Sequence, residues 1–165
     1  GWPPDPAVSQ DAGMKRRDLI RMSDDEVRAF LDGRHTMNVA TFNHDGTIHL
    51  VAMWYGFAGG APAFWTYGKS QKIRNLERTP QITCLVEAGE AYEELRGVEI
   101  VGRAELVRDH DALMDIGRSV FGRYMGEWSD EMQPYLERTG AKRVGVVVHA
   151  DRIVSWDHRK LEGGY

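Results

Sequence analysis

The sequence predicts a mainly β (α+β) fold, a small antiparallel β-barrel of about six strands with peripheral helices. Short stretches rich in β-branched and aromatic residues are joined by tight turns, of which Asp45-Gly46 is the clearest. The strand predicted over residues 95–107 contains Gly97 and Gly102, and glycines inside a strand allow the bending that closes a small barrel. Helical patterns appear as inserts between these strands, so helices are expected on the outside of the barrel.

The elements follow from periodicity and from the residues that start and stop each segment. Ser23 and Glu26 form a capping-box pair at the start of the first helix. The first three strands are joined only by turns and are expected to form a meander. In chain order, the predicted elements are a helix over 23–33, strands over 35–43, 47–57 and 63–67, a helix over 70–79, strands over 81–87 and 95–107, helices over 109–126 and 129–138, and a strand over 143–156.

Two regions are expected along the chain, an N-terminal arm over residues 1–22 and one barrel domain over residues 23–165. Residues 1–13 are rich in proline, glycine and polar residues, which is typical of an extended or flexible arm. Met14 is an alternative start of the native chain. No internal repeat or second domain is expected in the remainder.

Composition limits the classes of partner. With 165 residues and 42% hydrophobic residues, the chain is long and apolar enough for one globular core. The formal net charge is -4 and no basic block occurs, so no nucleic-acid partner is expected. The only cysteine, Cys84, favours a reducing compartment, and no apolar run approaches the roughly 18 residues of a membrane span. A cytoplasmic protein without a membrane span is therefore expected.

Residues 64–80, FWTYGKSQKIRNLERTP, carry the strongest sign of a binding site. An aromatic strand ends at Gly68, and Ser70 then occupies the N-cap position of a helix. A helix N-terminus has unpaired N–H groups and a partial positive charge, which suits an anion. Lys69 and Lys72 add full charges on either side of the cap, so a phosphate site is predicted. The alternative is a plain strand–turn–helix with solvated lysines.

No motif for self-contained catalysis is present. The sequence lacks G-x-S-x-G, P-loop and G-x-G-x-x-G patterns. The histidines do not have metal-ligand spacing, so no metal site is predicted and no catalytic residue is assigned. If the protein is an enzyme, a cofactor is expected to carry the chemistry. The six histidines are residues 35, 44, 49, 110, 149 and 158.

The stretch over residues 64–80 resembles the split β-barrel flavin and deazaflavin oxidoreductases, the pyridoxamine 5′-phosphate oxidase-like superfamily. That family has a strand ending in aromatic-Thr, a Ser-x-Lys helix entry and Asn-Leu-x-x-x-Pro. The resemblance covers residues 23–158 and implies a six-stranded antiparallel split β-barrel that binds a cofactor. The matching positions here are Trp65-Thr66, Ser70-Gln71-Lys72, Asn75-Leu76 and Pro80.

The resemblance also implies cofactor-binding positions. Ser70, Gln71 and Lys72 match the phosphate-binding helix entry, with Lys69 assisting at the phosphate or at an anionic tail. The other positions lie beside the cofactor on the neighbouring strand, along the strand that faces its ring, and at the C-terminal strand of a partner in a homodimer. They are, respectively, Trp65 and Thr66; Val51, Ala52 and Met53; and Trp156 and His158.

Two departures bear on the choice of cofactor. Pyridoxamine phosphate oxidases have an Arg at the position of Leu50 and a Lys at the position of Tyr55. The ending W-D-H-R-K at 156–160 is more similar to the F420-dependent branch. The resemblance therefore implies an F420-dependent reductase that transfers a hydride from reduced deazaflavin to an enone, quinone or tetrapyrrole, with Tyr55 or solvent as proton source. The alternatives are an FMN-dependent oxidoreductase of the same fold, a non-catalytic haem- or fatty-acid-binding barrel, and a barrel without a ligand.

Overall fold

The structure is a computed structural model and describes residues 16–33 and 36–161. The part of the predicted arm over residues 1–15, the predicted strand start at His35 and the last four residues of the tail lie outside these ranges. One antiparallel sheet contains seven strands in the order β2-β1-β5-β6-β7-β4-β3. The strands are β1 Met37–Phe42, β2 Ile48–Met53, β3 Gly56–Ala58, β4 Ala61–Tyr67, β5 Gln81–Ala88, β6 Arg96–Val107 and β7 Arg143–Asp157.

Helices pack around this sheet as the sequence predicts. Ser23 caps the second helix in a capping box, in which the Glu26 N–H donates to Ser23 Oγ at 3.2 Å and the Ser23 N–H to Glu26 Oε1 at 3.0 Å. Within the predicted arm, Met22 is buried in the core. No helix in the described ranges has the length and apolar character to cross a membrane. The helices are α1 Arg16–Leu19, α2 Asp24–Asp32, α3 Gln71–Arg78, α4 His110–Tyr124 and α5 Gln133–Gly140.

The seventh strand arises because the strand predicted over residues 47–57 is broken at Trp54 and Tyr55. Its first half, β2, pairs with β1, whereas its second half, β3, pairs with β4 at the opposite edge of the sheet. The predicted three-strand meander is therefore wrong. At the break, the Tyr55 N–H donates to the Tyr124 hydroxyl and the Tyr55 carbonyl accepts from Arg123, so α4 replaces a strand as the hydrogen-bond partner.

The fold has two hydrophobic cores on opposite faces of β4 and β7. Phe64 and Val146 point into the barrel, where Ile73 and Leu76 of α3 join them. Trp65 points the other way, into a second core between the sheet and α4 and α5. Successive residues of a strand alternate between faces, so neighbouring positions of β4 serve different cores.

The barrel is open between two strand edges. β2 has no strand partner on its outer edge, and β4 pairs with β3 only as far as Ala63. The edge of β4 over residues 64–67 therefore has a strand partner, β7, on one side only. We call the opening bordered by these two edges the split. Unpaired N–H and C=O groups along such edges are available to a ligand.

Candidate functional site

The end of β4 and the start of α3 form the predicted strand–turn–helix. The Gly68 N–H donates to the Lys142 carbonyl at 2.9 Å, which fixes the turn against the start of β7. Ser70 caps α3, and its Oγ accepts from the Ile73 N–H at 3.5 Å. The Ser70 hydroxyl still has its own proton to donate to a ligand. The local geometry is thus that of an anion-accepting helix start.

Lys72 is a buried cation with few partners. Its side chain is 8% exposed, and Nζ donates to Thr66 Oγ1 at 3.0 Å. Among the residues that the structure describes, no carboxylate pairs with it. Burial lowers the pKa of Lys72, and the charge of Arg143 lowers this pKa further. An ammonium has three donors, so a ligand with anionic oxygens would satisfy a group that the protein leaves incomplete.

Arg143 brings a second positive charge to this place. It is the first residue of β7 and pairs with Tyr67 of β4. Its guanidinium lies 4.7 Å from the Tyr67 ring centroid and 5.6 Å from that of Trp65. Nε donates to the Thr139 carbonyl at 3.0 Å. We call Lys72 and Arg143, which both lie near the end of β4, the cationic pair.

The other predicted residues of the helix entry contribute less directly. Lys69 is exposed on the turn. Gln71 donates from Nε2 to Asn75 Oδ1 at 2.9 Å, which is a contact along α3. Thr66 is buried and holds Lys72 in place. Lys72 is therefore the buried cation of the predicted set, with a hydroxyl partner but no carboxylate partner in the described chain.

Residues of β2 meet β4 across the split. Val51 and Met53 pack towards the barrel core, whereas Ala52 is exposed on the outer face. Met53 and Trp65 line one pocket of about 220 Å³, which also includes Arg143. The structure thus brings the β2 positions and the β4 positions to the same opening.

Trp156 and His158 are not brought to this opening within one chain. β7 has 15 residues and would span about 45 Å as an extended strand, with Arg143 at its start and Trp156 near its end. Trp156 packs against the backbone of Gly97, where a Cβ would lie 2.5 Å from the indole. His158 Nδ1 is 2.8 Å from the Tyr92 carbonyl oxygen. Within the described chain, these two side chains are therefore not part of the opening.

Tyr55 is a structural residue. Its side chain is fully buried, and its hydroxyl donates to the Leu31 carbonyl at 2.5 Å. Burial raises the pKa of this phenol. Tyr55 is therefore not placed to deliver a proton at the split, and the expectation that it could do so is wrong.

Arg143 is the main site residue that sequence reasoning missed. The sequence predicts it only as the first residue of the final strand, because an arginine before an alternating valine run has no distinctive local pattern. The pairing of Tyr67 with Arg143 places it at the end of β4, where it lines the same pocket as Met53 and Trp65. A signal for this contact exists only in the long-range strand pairing.

A groove of about 1310 Å³ lies between the N-terminal helices and the second half of β7. It is open and lined by charged residues of both signs. Arg21 pairs with Asp18 at 2.8 Å and Arg103 with Asp151 at 3.4 Å, all four being well exposed. Exposed pairs of this kind are typical of solvated surface. Within the described residues no cluster of three or more His, Cys, Asp or Glu could hold a metal ion.

The chain is similar to several known proteins. Residues 23–157 match the family described as pyridoxamine 5′-phosphate oxidase. A conserved hypothetical protein from Mycobacterium tuberculosis is 43% identical, with a TM-score of 0.88, over 92% of this chain and 95% of that chain. An F420 reductase is 25% identical, with a TM-score of 0.61, over 76% of this chain and 94% of that one.

More distant structures share the fold alone. HutZ, the haem storage protein from Vibrio cholerae, is 16% identical, with a TM-score of 0.63, over 80% of this chain and 94% of that chain. No curated protein matches the sequence.

Proposed function

Because the chain belongs to the pyridoxamine 5′-phosphate oxidase family, we propose that it is an oxidoreductase that binds coenzyme F420. The observation that carries this proposal is the buried ammonium of Lys72, which has one hydroxyl partner and no carboxylate partner in the described chain. It lies in the first turn of α3, so its charge and the unpaired N–H groups of that turn converge there. These donors fit a phosphate group.

The choice of F420 over FMN rests on two observations. An F420 reductase is among the similar structures, at 25% identity. The family positions at which pyridoxamine phosphate oxidases have Arg and Lys are Leu50, which is exposed on the outer face of β2, and Tyr55, which is buried in the core. Neither residue supplies a charge, so the phosphate would be held from the α3 side alone. FMN remains the alternative cofactor, and titration with each cofactor separately distinguishes the two.

A second observation supports a ligand in the split. Nδ1 of His49 is buried without a hydrogen-bond partner, the single side-chain atom of this kind in the part of the chain that is described. His49 lies on β2 opposite Thr41. Val51 and Met53 follow on the same strand, and the unpaired edge of β2 offers backbone N–H and C=O groups to a ring lying along it.

The residues of this chain would bind and orient the reactants. When bound, the reduced deazaflavin supplies a hydride to an electron-poor double bond. Lys72 would hold the phosphate end, and its buried position would keep water from that contact. Since Tyr55 is buried elsewhere, the proton that completes the reduction would come from solvent.

We propose that the active form is a homodimer. Phe42, Ile48 and Leu50 are large exposed apolar residues on the outer face of the β1–β2 pair. In the strand register Phe42 is opposite Ile48 and Ala40 opposite Leu50, so they form one continuous patch. Apolar patches of this kind usually mark interfaces. A second copy would also supply Trp156 to the split.

The interface is tested by Leu50→Glu, which places like charges on both sides of a two-fold contact. Analytical ultracentrifugation should show monomer for this variant and dimer for the wild type. Arg138→Glu is the control, because Arg138 is an exposed residue of α5 outside this patch and outside the second half of β7, and it should leave the dimer intact. A dimer that survives Leu50→Glu contradicts the proposed interface.

The cofactor is tested by fluorescence titration of the full chain with coenzyme F420 and, separately, with FMN. Lys72→Met should weaken F420 binding by roughly ten- to a hundredfold, since a charge-assisted hydrogen bond contributes about 1.5–3 kcal/mol. Lys69 is exposed on the turn before α3. Lys69→Met removes its charge and should change the affinity for F420 by no more than about fivefold. Equal effects of the two variants would contradict a specific role for Lys72.

The titration also separates the remaining alternatives. Preference for FMN would assign the protein to the flavin enzymes of the family. Binding of neither cofactor, together with binding of haem or a fatty acid, would favour a non-catalytic carrier on the same barrel.

A further inference from the structure

A second binding feature lies next to the cationic pair. The pocket of about 220 Å³ is formed where the end of β2, β4, α4 and α5 meet. Its walls are almost entirely apolar and aromatic. The lining residues include Trp54, Trp65, Phe121, Met125, Tyr135 and Arg143.

The pocket exists because Trp65 is held between two helices by glycines. A Cβ on Gly117 of α4 would lie 2.5 Å from the Trp65 ring, and a Cβ on Gly140 of α5 would lie 2.9 Å from it. Both positions therefore allow the indole to lie flat between the helices. The Trp65 wall of the pocket is therefore closely packed, as expected of a preformed ligand pocket.

The mouth of the pocket exposes large apolar side chains to solvent. Trp54 is 51% exposed, Met125 53% and Tyr135 47%. Trp54 stacks on Tyr124 with ring centroids 4.6 Å apart, and Tyr135 contacts Phe121 edge-to-face at 5.4 Å. These contacts hold the rim in place although it is exposed. A flat ring entering the pocket would cover this surface.

Arg143 is the one charged residue of the pocket lining. Its Nε is occupied by the Thr139 carbonyl, and no carboxylate in the described chain forms an ion pair with its terminal nitrogens. The guanidinium carbon lies 4.7 Å from the Tyr67 ring centroid and 5.6 Å from that of Trp65. A planar guanidinium fork next to an aromatic pocket matches a carboxylate attached to a ring. Lys72 does not line this pocket, which leaves it for the cofactor phosphate.

We propose that this pocket binds the hydride acceptor, and that the acceptor is a small flat molecule with one or two fused rings and a carboxylate. The ring occupies the space beside Trp65, and the carboxylate pairs with Arg143. The volume lies below the roughly 300–1,000 Å³ of pockets for drug-sized ligands, so a complete tetrapyrrole does not fit. The assignment of the ligand as the acceptor rests on the proposed function, whereas its chemistry rests on the pocket itself.

The test uses the cofactor-free full chain and a pair of probes with the same shape, 2-naphthoate and 2-naphthamide. Isothermal titration calorimetry should show binding of 2-naphthoate at least about tenfold tighter than binding of the neutral amide. Arg143→Gln should abolish this preference, and Arg143→Lys should retain part of it because the charge remains without the fork. Arg138→Gln removes an exposed charge of α5 outside the pocket and should leave the preference unchanged.

Two outcomes overturn the proposal. One is equal affinity for the two probes, or binding of neither, in a wild-type protein whose circular dichroism shows it folded. The other is an unchanged preference in folded Arg143→Gln. Arg143→Lys keeps the positive charge and an aliphatic chain. Its preference for 2-naphthoate over 2-naphthamide can therefore be measured even if Arg143→Gln does not fold.

A competition experiment separates the failure of this proposal from the failure of the proposed function. Saturating F420 should leave 2-naphthoate bound, because cofactor and acceptor occupy different sites. Displacement of 2-naphthoate by F420 would assign the pocket to the cofactor and overturn the acceptor proposal. Arg143-dependent binding of 2-naphthoate in a protein that binds no F420 would contradict the proposed function and retain the carboxylate pocket.

Discussion

Arg123 and Lys72 are both cations withdrawn from solvent without an ion-pair partner in the described chain, yet their surroundings differ. Arg123 donates to four main-chain carbonyls, and its guanidinium lies 4.8 Å from the ring centroids of Tyr55 and Phe57. Lys72 donates to one hydroxyl. The carbonyls that accept from Arg123 belong to Leu31, Asp32, Gly33 and Tyr55.

The difference separates a structural cation from one available to a ligand. Arg123 satisfies the carbonyls at the end of α2 and at the break after β2, so it replaces both a helix cap and a strand partner. Its hydrogen-bonding capacity is used within the protein. Lys72 retains donors that no described residue uses, although burial disfavours its charge. Hydrogen-bond completeness thus distinguishes the two roles more clearly than burial.

Arg123→Met should produce the largest loss of stability. Four carbonyls would lose a charged donor at once, and we expect the free energy of unfolding to fall by about 3 kcal/mol. Urea denaturation followed by circular dichroism measures this. Arg138→Met, an exposed arginine of α5, is the control and should change the value by less than about 0.5 kcal/mol. A loss below about 1 kcal/mol for Arg123→Met would refute its structural role.

Gly117→Ala tests whether the packing of α4 against the Trp65 ring contributes to stability. The new Cβ would lie 2.5 Å from the Trp65 ring, so we expect a loss of about 1–3 kcal/mol in the free energy of unfolding. Gly122→Ala is a matched control in the same helix, because nothing lies within 4 Å of its Cβ position. Alanine favours helix, so this control should be stabilised by up to about 1 kcal/mol. Destabilisation of both variants alike would argue against the close approach at Gly117.

Lys72→Met should leave stability unchanged or raise it by up to about 1 kcal/mol, in contrast to Arg123→Met. The substitution removes a buried charge that has no carboxylate partner in the described chain. Because the folded pKa of Lys72 is lowered, its contribution to stability becomes more favourable as pH rises through that pKa. Urea midpoints at pH 7 provide the measurement. Strong destabilisation would place Lys72 with Arg123 among the structural cations.

The smallest effect is expected at His110, an exposed residue of α4. Its Nε2 is 2.7 Å from Glu137 and its Nδ1 3.1 Å from Asp111, and these contacts, Glu137 first, raise the pKa of the imidazole. Because the pKa is raised in the folded state, protonated His110 stabilises the fold. This contribution is fully present below the pKa of the unfolded chain, near 6.5, and is lost as pH rises through the folded pKa.

Urea midpoints of the wild type and of His110→Asn should therefore converge as pH rises from about 5.5 to 8.5. An offset between the two proteins that stays constant over this range would show that the histidine does not act through its charge.

Local patterns predicted the helix entry correctly. Ser70 caps α3, Gly68 makes the turn, and Ser23 and Glu26 form the capping box, as expected from residues a few positions apart. The barrel class was also predictable, because strand alternation and turn residues are local signals. The break at Trp54 and Tyr55 was not, since the sequence there continues a strand-like pattern.

The sequence by itself determined the turns, the helix caps, the alternation of the strands and the presence of a lysine in the first turn of α3. The tertiary structure alone decided that Lys72 is buried with Thr66 as its hydrogen-bond partner and that Arg143 lies beside it. The reason is physical: caps and turns form between residues close in the chain, whereas the cationic pair and the aromatic pocket depend on the pairing of β4 with β7.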